Sequence, residues 1–138
     1  GTSAGIGRRE VGQGSLYFVG LKDASGTYLD GSKNYVLNIP GPVPAKLFWS
    51  VTVYDSGTRT IIDTDLGRGA VRTMFENPSS NPDGSYDIFF GPDAPDGREN
   101  NWVKTIPGKG WFTFVRMYGP EEPLFDESYK LPDIERID

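Results

Sequence analysis

Asp63 and Asp65 stand two residues apart in a stretch rich in β-branched side chains. On a strand that spacing puts both carboxylates on one face, where they could hold Ca²⁺ or Mg²⁺ or divide acid and base roles. A solvated strand face gives the same pattern, so the pair marks a place to look for metal, and no cofactor is predicted. Asp93 and Asp96 flank Pro95, where aspartate also caps turns, and they lack the alternating spacing of a calcium loop.

A second constellation suits binding better than reaction. Asn100, Asn101 and Trp102 join amide donors and acceptors to a large flat ring, the equipment that holds sugars and small polar rings. The same residues could instead tie down a loop and fill the core. Alternation puts Arg116 and Tyr118 on one face with Phe112 and Phe114. An arginine among apolar side chains needs a partner, so it either reaches Asp55, Asp87 or another carboxylate, or presents its fork to an anionic ligand. Asn100, Asn101, Trp102, Arg116 and Tyr118 are therefore the candidate ligand-binding residues.

What is missing narrows the chemistry further. The chain has no cysteine and no histidine, which excludes disulfides, thiolate nucleophiles, Ser-His-Asp triads and His-ligated zinc within it. Any catalysis must use Asp, Glu, Lys, Tyr, Arg or a hard cation. Gly108-Lys109 is no P-loop, because Val103 and Gly110 stand where that motif needs Gly and Ser or Thr. A net charge of −5 argues against nucleic acid and anionic membranes as partners. No apolar run approaches the ~20 residues that span a bilayer.

These residues must be positioned by strands. The 138 residues suffice for one domain. The small, polar residues 1–14 read as a flexible lead-in or an expression scar without the apolar core of a signal peptide, and residues 15–138 as a single domain. Alternating apolar residues predict strands over 15–22, 35–39, 48–54 and 86–90, with a moderate signal over 58–65. Residues 27–29 return antiparallel to the first strand. Pro40, Pro42 and Pro44 mark a connector. Residues 102–106 and 111–118, joined by Pro107-Gly108-Lys109-Gly110, read as a hairpin. Residues 66–74 read as a loop ending near a short strand, and 124–129 as one helical turn. About eight short strands with little helix predict an all-β, antiparallel β-sandwich of jelly-roll type, with a closed barrel as the alternative.

The segments YLDGSKNYVLNIP, FWSVTVYD, PDGSYDIFFGPDAPDG, ENNWVKTIPGKGWF, RMYGP and LPDIE, in this order, resemble the bacterial family called domain of unknown function 1214. The resemblance covers roughly residues 17–135. It implies a jelly-roll sandwich that usually follows a companion, domain of unknown function 1254, with many relatives exported; it implies no activity. Together these readings favour a module that binds a small polar molecule or carbohydrate. The alternatives are a hydrolase or isomerase working through Asp, Glu, Tyr, Lys or a divalent cation, or an assembly module joining copies of the chain or a missing companion domain.

Overall fold

Strand alternation decides which face of each sheet is buried. In the computed structural model, which describes residues 6–11 and 14–138, the chain is an all-β sandwich of two packed sheets. Strands β1 (Ile6–Val11), β2 (Ser15–Gly20), β4 (Ala45–Asp55), β5 (Ala70–Arg72) and β8 (Trp111–Pro120) form one sheet in the order β1-β2-β8-β4-β5. The other has β3 (Tyr35–Ile39), β6 (Tyr86–Gly91), β7 (Trp102–Lys104) and β9 (Glu135–Arg136) in the order β7-β6-β3-β9. One short helix, α1 (Glu122–Phe125), follows β8.

The core lies between the sheets. Leu16 and Phe18 of β2, Trp49, Val51 and Val53 of β4, and Trp111, Val115 and Met117 of β8 face Tyr35, Leu37, Ile39, Ile88 and Phe90 of the second sheet. Trp111 stacks on Phe90 with ring centroids 4.7 Å apart and meets Tyr35 edge-on at 5.6 Å. Trp49 meets Tyr86 edge-on at 5.0 Å. Both tryptophans thus bind one sheet to the other, as aromatics on alternating strands commonly do.

The hairpin expected across Pro107–Gly110 does not form. The turn is present, with Lys109 N–H bonded to Ile106 O at 3.1 Å and Gly108 at φ 85. It carries the chain from one sheet to the other, however, because both edges of β8 are taken by β2 and β4, while β7 adds in parallel to β6. The crossing is anchored on Gly31, whose N–H bonds Lys109 O at 2.9 Å and whose carbonyl accepts the Thr105 hydroxyl at 2.9 Å.

Two further expectations change. Residues 58–65 form no strand: Asp55 Oδ1 accepts the N–H groups of Gly57 and Thr58, Arg59 turns to φ 61, and a single bridge joins Ile61 to Tyr54. Within the expected lead-in, residues 6–11 pair antiparallel with β2; residues 1–5 and 12–13 lie outside the described residues. The 66–74 stretch ends in β5 as expected.

Candidate functional site

The hairpin after β2 builds a polar groove from residues that sequence reading passed over. Asp23 N–H bonds Thr27 O at 2.8 Å, closing a tight reversal, and Ala24 N–H bonds Ile134 O at 2.9 Å. Asp23 is only 5 % exposed. Its Oδ1 accepts three bonds, from Ser25 N–H at 2.9 Å, Ser25 Oγ at 2.6 Å and Thr27 N–H at 3.1 Å. An aspartate followed two residues later by serine makes this turn readily, since the carboxylate stands in for a backbone acceptor. Asp30 repeats it, accepting from Ser32 N–H at 2.9 Å and Ser32 Oγ at 2.6 Å.

These turns leave one oxygen of each carboxylate over. Among the described residues no donor reaches Asp23 Oδ2 or Asp30 Oδ2. Tyr35, 1 % exposed, accepts the Asp30 N–H at 3.0 Å through its hydroxyl oxygen; its own hydrogen has no described acceptor. Asp23, Asp30 and Tyr35 line a groove of about 500 Å³ with Lys33, Glu135 and Arg136. The Ser25 hydroxyl, with the Thr27 and Ser25 N–H groups, holds the Asp23 carboxyl below its usual pKa against the opposing effect of burial. Ser32 does the same for Asp30, through its hydroxyl first and then its N–H. Burial raises the Tyr35 hydroxyl, and the Asp30 and Asp23 charges add to the rise. At neutral pH the groove thus offers fixed acceptors, a neutral phenol donor, two cations, Lys33 and Arg136, and the further carboxylate of Glu135.

The five residues expected to bind ligand are divided between the sheets. Asn101, 1 % exposed, closes the short 3₁₀ turn at 99–101. Its amide is saturated by Ser79 N–H, Ser79 O and Asp87 O, all at 2.9 Å. Trp102 is buried and donates its indole N–H to Gly91 O at 3.0 Å. Half-buried Arg68 clamps the same turn, donating to Trp102 O at 2.6 Å and Glu99 O at 2.7 Å. Asn101 and Trp102 therefore serve the framework, with Asn100 exposed beside them. Arg116 and Tyr118 point the other way, outward from β8, because the alternate residues Val115 and Met117 face the core.

Arg116, expected to reach a carboxylate or to present its fork to an anionic ligand, lies over rings among the described residues. Its guanidinium lies 4.9 Å from the Phe114 centroid and 5.8 Å from that of Tyr17, while Asp55 is bonded to its own loop and 3.5 Å from Lys109. Stacking over aromatic faces gives a weakly hydrated guanidinium the partner it needs. Tyr118 stacks on Phe48 at 4.3 Å. Asp63 and Asp65 share no strand face; both are exposed, and Asp65 pairs with Lys104 at 2.7 Å. No group of metal-ligating side chains occurs among the described residues, nor does any helix there have the length and apolarity to cross a membrane.

The fold and its motifs have counterparts. The solved VPA0106 protein of Vibrio parahaemolyticus matches 91 % of this chain at 27 % identity with a TM-score of 0.77, and an uncharacterized protein of Burkholderia cenocepacia matches 99 % at 19 % with a TM-score of 0.60. The chain spans 31 % and 36 % of those two proteins. No curated protein matches it. The family model described as "Protein of unknown function (DUF1214)" matches residues 14–122, most of the chain, and the protein belongs to that family.

Proposed function

We propose that the domain binds a small polar, polyhydroxylated molecule of the carbohydrate class in the groove between the 21–29 hairpin and the β3–β9 edge. The observation that carries this reading is the unused bonding capacity of Asp23, Asp30 and Tyr35 in one groove. Among the described residues, two ionised carboxylates each have a free oxygen, and a buried phenol has a free hydrogen. Ligand hydroxyls both donate and accept, so they can satisfy Asp23 and Asp30 while accepting from Tyr35, Lys33 and Arg136.

The same geometry favours binding over acid–base catalysis. A carboxylate pair that divides those roles needs one member protonated near neutral pH, whereas hydrogen bonds hold both groove aspartates ionised.

Calorimetric titration of the domain with a panel of mono- and disaccharides at pH 7 tests the reading. At least one sugar should bind saturably, and Asp23→Asn, which keeps the side chain's shape, should weaken it about tenfold, the worth of a charge-assisted bond. A panel without binding, or one that Asp23→Asn binds as tightly, sinks it.

A further inference from the structure

The 21–29 hairpin has a second side, and its chemistry is opposite. Val19, Leu21, Tyr28, Phe112 and Phe114 line a groove of about 460 Å³ together with Ser56, Arg59 and Trp111. In a chain of net charge −5, this lining holds an arginine and no carboxylate. Leu21 is 48 % and Tyr28 70 % exposed. Such adjoining apolar exposure, of a size suited to a small ligand, is a binding-site signature.

The walls are fixed in advance. Phe112 and Phe114 meet edge-on at 5.7 Å; Tyr54 stacks on Phe112 at 5.3 Å and meets Phe114 edge-on at 5.0 Å. A ligand would therefore not have to order these rings, which limits the entropy lost on binding. One cation remains unspent. The Arg59 guanidinium has no carboxylate partner among the described residues, and Asp55 nearby is taken by loop N–H groups and Lys109.

We propose that this groove binds a small amphipathic carboxylate, with its apolar body on the rings and its carboxylate paired with Arg59. The apolar surface calls for a hydrocarbon body, and Arg59, the one cation in the lining, sets the sign of the head group, whereas Lys22 and Arg116 sit over the Tyr28 and Phe114 rings. The site is independent of the polar groove.

The test compares 4-phenylbutyrate with its neutral amide, 4-phenylbutanamide, by titration monitored in NMR spectra. The acid should bind saturably and about tenfold tighter than the amide, as one charge-assisted pair gives. Arg59→Asn should abolish the preference, and asparagine tolerates the left-handed backbone found there. Arg59→Lys should retain it. Tyr28→Ser should weaken acid and amide alike. Equal affinity for the two in the unaltered protein, absence of saturable binding, or a preference that survives Arg59→Asn overturns the proposal.

Discussion

The two grooves flanking the 21–29 hairpin are built on opposite terms. On the polar side each carboxylate spends one oxygen on the backbone turn that presents it, so Asp23 and Asp30 cannot be removed without loosening the turn. On the aromatic side Tyr28 and Leu21 stand largely outside the packed core, and the hairpin that carries them is closed by backbone bonds, such as Leu29 N–H to Leu21 O at 3.3 Å. A side chain there can change while the fold stays. The difference teaches that a polar residue in a turn advertises structure first, whereas an exposed ring with no packing duty is the plainer sign of a surface kept for something else.

The sharpest way to break this contrast is at Gly31, where the polar groove's hairpin docks on the crossing between the sheets. A Cβ there would meet the backbone carbonyl oxygens of Ile106 and Lys109, neither of which is the end of a flexible side chain. Gly31→Ala should cost about 3 kcal/mol, the upper range for overpacking. Gly26, at φ 84 but with open space around its Cα, should lose only about 1 kcal/mol as Gly26→Ala, from backbone strain alone. Urea denaturation of both variants reads the gap; equal losses would mean that the docking at Gly31 is loose.

Asp23 comes next in size. Asp23→Ala removes the acceptor of two N–H groups and a hydroxyl in a buried setting, a loss of about 2 kcal/mol. Its folded pKa is lowered, so its contribution is present in full above the unfolded value of about 3.9 and lost as pH falls through the lower folded value. Thermal midpoints of the unaltered protein and Asp23→Asn should therefore differ at neutral pH and converge below about pH 4. A constant difference down to strong acid would show that the charge of Asp23 contributes nothing.

The same contrast explains what the sequence disclosed. The alternation from Trp111 to Tyr118 identified both faces of β8, because the inward positions are apolar apart from Thr113, whose buried hydroxyl is satisfied by Thr52 O at 2.8 Å. The 107–110 turn was legible as a reversal, but its glycines say only that the chain turns; the partners of β8 were decided by distant edges of β2 and β4. Asn101 and Trp102 looked like ligand residues since amides and indoles serve loops and sugars equally, and only the positions of Ser79, Asp87 and Gly91 assign them to the framework. The polar groove did leave a trace in Asp23-x-Ser25 and Asp30-x-Ser32, yet its convergence with Tyr35 and Arg136 depends on long-range pairing of β3 with β9.

The smallest expected effect lies on the aromatic side, and its smallness is informative. Tyr28 is 70 % exposed, and its ring's partner is Lys22, whose Nζ sits 4.8 Å from the ring centroid. A cation over an exposed ring contributes about 0.5–1 kcal/mol at most, and serine at a position bridged antiparallel to Lys22 leaves the backbone bonds in place. Tyr28→Ser should therefore shift folding stability by about 0.5 kcal/mol, near the range of ordinary surface substitutions, and far less than Asp23→Ala in the same hairpin. Parallel urea titrations of the two variants measure this directly. A Tyr28→Ser loss as large as that of Asp23→Ala would mean that the ring packs into the fold after all, leaving the aromatic groove no more free of structural duty than the polar one.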